Sequence, residues 1–266
     1  MSRLTTACLP KRSLAAAALF LGIIVPAAAG ETGTPCRVPF DVVRLAYPLQ
    51  QVQKKLEAKE PVTIVAIGSS STQGAGASSP EANYPSRLKV ELTRLLPGKS
   101  FTVINRGVGG EEIQDMLRRF DRDVVAEKPD LVLWQLGTNA VIRDHPIADE
   151  GVAIRKGIES ARKTGADVVL IDPQFAPKVI AKKDAIEAVD LIGMAGKFAD
   201  VSVFRRFELM RRWRVIDGMA FSDFVSPDGL HMNDWSYACV ARALAAAIAE
   251  AATKRAPLAT ARATAR

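Results

Sequence analysis

Histidine and cysteine are scarce in this chain of 266 residues, which has two histidines and three cysteines. It contains no H-E-x-x-H pattern and no set of Cys and His at zinc-ligand spacing, so the sequence predicts no metal site. A histidine base can come only from His145 or His231. The scarcity therefore narrows general-base catalysis by histidine to two positions.

Three further absences exclude other classes of protein. No period of 20–50 residues recurs, which argues against a repeat architecture. No basic stripe with interleaved aromatic residues accompanies the net charge of +7, so we expect no nucleic-acid partner. The turn after the first predicted strand lacks G-K-[ST] and G-x-G-x-x-G, the usual motifs of phosphate and nucleotide binding. A phosphate- or nucleotide-binding domain is therefore kept only as an alternative.

The two ends of the chain differ from the rest in composition. Residues 1–29 are typical of a cleavable signal peptide: three basic residues, an apolar run over residues 14–25, and Ala27-Ala28-Ala29 as the cleavage site. We therefore predict a periplasmic or secreted protein without stable membrane insertion after cleavage. A retained membrane anchor is the alternative. Residues 254–266, rich in Ala, Thr and Arg, are expected to form a disordered basic tail.

Two cysteines remain once the leader, with Cys8, has been removed. Cys36 and Cys239 are an even pair in an oxidising compartment, which predicts a disulfide between the N-terminal extension and the last helix. Two unpaired buried thiols are the alternative.

Short apolar runs alternate with helical patterns along residues 48–252. This alternation predicts βαβ units and a three-layer α/β/α sandwich around a central parallel sheet of about five strands. Residues 30–60 form an N-terminal extension and first helix, and residues 61–253 one domain. Strands are predicted at residues 62–67, 101–105, 130–136, 167–171 and 201–203, and helices at residues 48–59, 84–96, 111–126, 152–163, 183–198, 205–214 and 235–252.

The first predicted strand ends in a run of hydroxyl residues, V-T-I-V-A-I-G-S-S-S-T-Q-G over residues 62–74. Ligands of open α/β sheets bind at the carboxyl ends of strands, which makes Ser70 a candidate nucleophile beside Ser69 and Ser71. His231 follows Asp228 by three residues, a spacing that lets the carboxylate orient the imidazole. His145, ahead of a proline in a charged segment, is interpreted as a surface histidine.

Two other turns at strand ends offer hydrogen-bond donors for an oxyanion. Gly110 precedes a predicted helix and can present its backbone N–H, and Asn139 can offer a side-chain amide. Both residues are also common in ordinary turns. A third such loop contains Asp172 and Gln174, which we interpret as possible substrate-binding residues, with a simple turn as the alternative.

Four short blocks in this order resemble the SGNH, or GDSL-type, hydrolase superfamily. The first corresponds to G-D-S-x-T-x-G, the second to a glycine after an asparagine, the third to G-x-N and the fourth to D-x-x-H. Here they read Gly68-Ser69-Ser70-Ser71-Thr72-Gln73-Gly74, Asn105-Arg106-Gly107-Val108-Gly109-Gly110, Gly137-Thr138-Asn139 and Asp228-Gly229-Leu230-His231.

The resemblance implies a flavodoxin-like fold with a shallow, open site that needs no cofactor. It implies Ser70 as the nucleophile, His231 as the base and Asp228 as its orienting carboxylate. The Ser70 N–H, the Gly110 N–H and the Asn139 amide would form the oxyanion hole. Ser69 departs from the family, which usually has Asp there, and this puts in doubt how the nucleophile turn is held.

The sequence therefore predicts an exported serine esterase.

 It would hydrolyse, or transfer, a short acyl group such as acetyl through an acyl-enzyme. The expected substrate is a small-molecule or glycan ester, and the expected state is a monomer. The alternatives are a non-catalytic, carbohydrate-binding member of the same fold and the phosphate- or nucleotide-binding domain named above.

Overall fold

The structure, a computed structural model, describes residues 35–148 and 150–253 together with Met1. The predicted signal peptide, apart from Met1, and the predicted basic tail lie outside the described residues. The chain divides into two units, residues 1–35 and 36–266, and every element described below belongs to the second unit.

A parallel sheet of five strands forms the centre of this unit, in the order β2-β1-β3-β4-β5. Its strands are short apolar runs, and six of the seven residues of the first strand are buried. Such continuous burial is typical of parallel strands that are covered on both faces. The strands are β1 (Val62–Gly68), β2 (Phe101–Gly107), β3 (Leu131–Gln135), β4 (Asp167–Ile171) and β5 (Ser202–Phe204).

Helices connect the strands and cover both faces of the sheet. Within the described residues there are thirteen α-helices, and short 3₁₀ helices at Pro80–Ala82 and Val125–Glu127. The α-helices are α1 (Phe40–Val43), α2 (Gln50–Glu57), α3 (Ser70–Gln73), α4 (Tyr84–Leu95), α5 (Ile113–Arg118), α6 (Phe120–Asp123), α7 (Thr138–Ile142), α8 (Glu150–Arg162), α9 (Pro177–Ile180), α10 (Ala185–Phe198), α11 (Arg206–Val215), α12 (Phe221–Phe224) and α13 (Asp234–Thr253).

Two buried clusters lie on opposite faces of the sheet. Along β1, Ile64 and Ala66 belong to one cluster, while Val65 and Ile67 belong to the other. This division follows from the alternation of side chains along a strand. Helices α2, α4 and α13 contribute to the first cluster, and α5 and α8 to the second. The predicted three-layer sandwich with five parallel strands is confirmed.

The prediction of one continuous helix over residues 111–126 is wrong. The helix is interrupted at Arg119, between α5 and α6, where the backbone leaves helical geometry. The Arg119 side chain is buried and binds Glu111 and Asp123, and its Nη2 atom donates to the carbonyl of Gly68. The guanidinium therefore ties this segment to the carboxyl end of β1, a contact that helical periodicity does not encode.

The predicted turns are more ordered than the sequence indicates. The serine-rich turn forms α3, the turn after β3 starts α7, and helices α9 and α12 lie after β4 and before α13, in segments where no helix is predicted. Strand β2 extends two residues beyond the predicted end because its backbone pairs with β1 as far as Gly107. Among the described residues, no helix is both long and apolar enough to cross a membrane.

The predicted pairing of the two remaining cysteines is present in the structure. Cys36 and Cys239 form a disulfide with a Cα–Cα distance of 5.5 Å. Cys239 lies on the buried face of α13, so the bond ties the segment before α1 to the last helix. It closes a loop with a sequence separation of 203 residues.

Candidate active site

The nucleophile turn joins β1 to α3 at the carboxyl edge of the sheet. Ser70 is the first residue of α3, and Ser69 before it has extended backbone. The side-chain oxygen Oε1 of Gln135, at the end of β3, accepts from Ser69 N (2.8 Å), Ser69 Oγ (3.0 Å) and Thr72 Oγ1 (3.2 Å). One neutral acceptor thus holds the turn in which the related superfamily usually has an aspartate.

Strand β2 supports the same turn from its other side. The Asn105 side chain donates to the Thr72 carbonyl at 2.9 Å and accepts from the Gly107 N–H at 2.9 Å. A Cβ on Gly107 would lie 2.1 Å from the Gln73 nitrogen, so only glycine lets the strand approach α3 this closely. The second sequence block, residues 105–110, therefore holds the nucleophile turn in place and also leads to Gly110.

The loop between α12 and α13 carries the histidine and its carboxylate. Val225 and Met232 form an antiparallel bridge, and the Ser226 N–H donates to the His231 carbonyl at 2.8 Å. Within this narrow loop, Oδ1 of Asp228 accepts the N–H groups of Leu230 and His231, both at 2.9 Å. These bonds make an Asx-type turn that points the carboxylate toward the imidazole of the same loop.

His231 lies within hydrogen-bond distance of both other residues of the predicted triad. His231 Nε2 lies 2.8 Å from Ser70 Oγ, and His231 Nδ1 lies 2.5 Å from Asp228 Oδ2. Partial burial acts to raise the pKa of Asp228, but the bonds from His231 and the two loop N–H groups outweigh burial and lower it. Asp228 is therefore ionised at neutral pH and can stabilise a protonated imidazole.

The predicted oxyanion donors come from two further loops at this edge. Asn139 lies in the first turn of α7, and its Nδ2 atom donates one hydrogen to the Glu111 carbonyl at 2.8 Å, which leaves its second hydrogen. Gly110 has φ of +81°, and a Cβ on the preceding Gly109 would lie 3.9 Å from Ser70 Cβ. Among the described residues, no acceptor pairs with the N–H of Ser70 or of Gly110.

The structure places Asp172 and Gln174 beneath the site, and both side chains are almost fully buried. Asp172 Oδ1 accepts from the Phe207 N–H, while Gln174 bonds to Thr138, to Arg206 and to the Leu230 carbonyl. A substrate contact needs an accessible side chain, so the interpretation of these two residues as substrate-binding is corrected. They are internal supports of the site.

The second histidine is outside the triad, as the sequence indicates. The His145 side chain is about half exposed, and its Nδ1 atom lies 3.1 Å from Oε2 of Glu112. Within the part of the chain that the structure describes, no group of three or more His, Cys, Asp or Glu residues is arranged to hold a metal ion.

Sequence reasoning missed two residues of this region, Gln135 and Arg206. Gln135 ends a buried strand, and nothing local separates it from an ordinary strand end. Arg206 lies in an arginine-rich helix, yet it is completely buried. Its spacing to Leu209, Met210 and Trp213 is i+3, i+4 and i+7, so helical periodicity places it on the apolar face and could have found it.

A parallel three-layer sandwich with a Ser–His–Asp arrangement at the carboxyl edge of its sheet defines the class, an SGNH-like hydrolase fold. The family described as "Non-GDSL lipase-like family" matches residues 35–254, and the chain belongs to it. That description agrees with the serine found at position 69 in place of the usual aspartate. Membership also agrees with the prediction of an ester hydrolase.

Individual relatives match this chain over a short segment or at low sequence identity. An acetylxylan esterase of Geobacillus stearothermophilus is 34% identical over 56 residues, which span 21% of this chain and 26% of that protein. The fold resembles a two-domain esterase active on acetylated mannans (TM-score 0.69, 21% identity), with 82% of this chain and 58% of that chain covered. It also resembles a lipase/acylhydrolase from Enterococcus faecalis (TM-score 0.57, 24% identity; 70% and 95% covered).

Proposed function

We propose that this protein is an exported serine esterase that removes short acyl groups, acetyl above all, from glycans. The observation that carries the proposal is the continuous relay from Asp228 through His231 to Ser70. It stands beside the N–H groups of Ser70 and Gly110, which have no acceptor within the described residues. A nucleophile, its base and unpaired donors on one rim are the parts that acyl transfer needs.

The reaction follows from the positions of these atoms. Ser70 Oγ attacks the ester carbonyl carbon while His231 Nε2 takes the serine proton. The carbonyl oxygen becomes an oxyanion that accepts from the N–H of Ser70, the N–H of Gly110 and the free Asn139 hydrogen. When the intermediate collapses, the protonated imidazole gives its proton to the leaving alcohol and an acyl-Ser70 remains. Water, deprotonated by His231, then releases the acid and restores the serine.

The glycan substrate rests on the relatives and on the predicted export. Two of the relatives are esterases of acetylated xylan or mannan by their descriptions. A signal peptide would place the protein outside the cytoplasm, and the disulfide of Cys36 and Cys239 suits an oxidising compartment. Acylated polysaccharides are available substrates in that location.

The experiment compares the wild type with Ser70→Ala on 4-nitrophenyl acetate and on acetylated xylan and mannan. We expect acetate release by the wild type and a loss of several orders of magnitude in the variant, because the nucleophile is gone. Ser100→Ala, an exposed serine before β2, is the matched control and should keep full activity. A wild type that releases no acid from any of these esters would contradict the proposal.

A serine-reactive fluorophosphonate tests the assignment among the adjacent serines. Peptide mass spectrometry should find the adduct on Ser70, because only this hydroxyl lies at 2.8 Å from His231 Nε2. Ser69 and Ser71 are buried and bond to Gln135 and Arg206, respectively. An adduct on either of those serines would overturn the assignment.

A further inference from the structure

The mechanism above leaves a fully buried arginine unexplained. Arg206 has no exposed surface, and its Nη1, Nη2 and Nε atoms donate to Ser71 Oγ (2.9 Å), Gln174 Oε1 (3.0 Å) and the Asp172 carbonyl (3.0 Å). Burial lowers the pKa of the guanidinium, whereas the nearby Asp172 carboxyl opposes this change. Burying a charged side chain without water is costly, and hydrogen bonds must offset that cost. The three bonds of Arg206 therefore point to a role for this side chain in holding its partners.

Gln174 extends this set of bonds to two other loops. Its Oε1 atom also accepts from Thr138 Oγ1 at 3.0 Å, and its Nε2 atom donates to the Leu230 carbonyl at 3.3 Å. Thr138 precedes Asn139, and Leu230 precedes His231 in the chain. Ser71 likewise follows Ser70. The three loops that carry Ser70, Asn139 and His231 are thus each held at a residue adjacent to the reacting one.

We propose that Arg206 and Gln174 are positioning residues that set the relative placement of Ser70, Asn139 and His231. They act through Ser71, Thr138 and Leu230 and touch no substrate, since both side chains are buried. This proposal rests on the proposed esterase function. Catalysis by a triad depends on placement of the reacting atoms, and a displacement of about 1 Å can cost about 10²-fold in rate.

Gln174 offers a matched pair of substitutions. Gln174→Leu removes the acceptor for Arg206 and Thr138 and the donor to Leu230. Gln174→Glu keeps a side-chain acceptor for Arg206 and Thr138, loses the donor to Leu230 and adds a carboxyl group beside the Arg206 guanidinium. We expect Gln174→Leu to lower kcat on 4-nitrophenyl acetate about 10- to 100-fold with KM within about threefold, and Gln174→Glu to recover most of that loss.

Ser202→Ala is the control for a loss of stability alone. Ser202 is buried at the start of β5, and its Oγ accepts from the Tyr47 N–H at 2.9 Å, far along the sheet from the triad. This variant should lower Tm and leave kcat unchanged. If Gln174→Leu is folded and has the kcat of the wild type, or if the Leu and Glu variants lose kcat equally, the positioning role is wrong. Should Gln174→Leu fail to fold, Thr138→Val removes a single bond and should lower kcat in the same direction.

Hydrogen exchange separates this proposal from the esterase proposal. Gln174→Leu, or Thr138→Val in its place, should speed amide exchange in residues 70–74, 138–142 and 225–233, whether or not any ester is hydrolysed. Ser202→Ala should not change exchange in these segments. Unchanged exchange in the Gln174 or Thr138 variant would overturn the positioning role, whereas a wild type inactive on every ester would overturn only the esterase.

Discussion

The two edges of the central sheet both bury polar side chains, but they use them differently. At the amino edge, Asp130 accepts from the Thr63 N–H and from Gln51, and Asp167 accepts from the Val52 N–H in the first turn of α2. These bonds are satisfied within the fold and dock a helix onto the sheet. At the carboxyl edge, the acceptor under the nucleophile turn is the neutral amide of Gln135, and the N–H groups of Ser70 and Gly110 have no acceptor in the described protein.

This difference shows which buried polar residues indicate a site. Burial of a charged or polar group is found at both edges and is therefore a poor guide by itself. The carboxyl edge is distinguished by the donors of Ser70 and Gly110, which have no partner in the described protein, beside a hydroxyl that faces an imidazole. Unpaired donors next to a nucleophile are what stabilisation of an oxyanion requires.

The largest effect should come from the triad itself. Ser70→Ala and His231→Ala should each lower kcat by several orders of magnitude, and the double variant should cost little more, because the two residues act as one unit. Single-turnover and steady-state rates on 4-nitrophenyl acetate measure this. Asp167→Asn at the amino edge is the control and should keep the wild-type rate. If the loss of kcat in the double variant equals the product of the losses in Ser70→Ala and His231→Ala, the relay is contradicted.

A smaller effect is expected from the oxyanion donor. Asn139→Ala should lower kcat about 10²–10³-fold, since one charge-stabilising bond is lost while the triad stays intact. The kcat is measured with the same ester, and the fluorophosphonate adduct on Ser70 shows that the nucleophile is still present. A variant with the rate of the wild type would remove Asn139 from the site.

The smallest effect concerns stability at the amino edge. Burial raises the pKa of Asp167 to about 6, although the N–H groups at the start of α2 oppose this. Its folded pKa lies above the unfolded value, so the folded state binds more protons between about pH 4 and pH 6 and stability falls as the pH rises through that window. Urea unfolding at pH 4 and pH 7 should show that Asp167→Asn reduces this fall by about 1–2 kcal/mol, after allowance for partial exposure. If Asp167→Asn loses as much stability between pH 4 and pH 7 as the wild type does, other groups cause the pH dependence.

The sequence predicts the fold well because most of its information is local. Each strand is a short apolar run and each long helix has a periodic apolar face, so most bounds are correct within two residues. The break at Arg119 follows no such pattern: the buried side chain at this point bonds to the Gly68 carbonyl, 51 residues away in sequence. Long-range contacts of single side chains leave no periodic pattern.

The candidate site shows the same limit. Ser70, Asp228 and His231 could be proposed because each stands in a short block at a strand end or loop. Gln135 could not, since its role exists only once β3 is packed beneath the serine turn. Helical periodicity could place Arg206 on the apolar face of α11, but not predict its bond to Ser71. The sequence predicts that the loop after β4 lies at the carboxyl edge. Only the structure shows that its polar side chains, Asp172 and Gln174, are buried.

The neutral acceptor under the nucleophile turn has a consequence for the protein in acid. Neither the amide of Gln135 nor the hydroxyls of Ser69 and Thr72 titrate, and burial raises the pKa of the neighbouring Tyr84 to about 12. A carboxylate in this role would be neutralised during an acid exposure, and its bonds would have to reform afterwards. Gln135, Ser69 and Thr72 instead gain and lose no proton in this range, so the hydrogen bonds among them are the same in acid and at neutral pH.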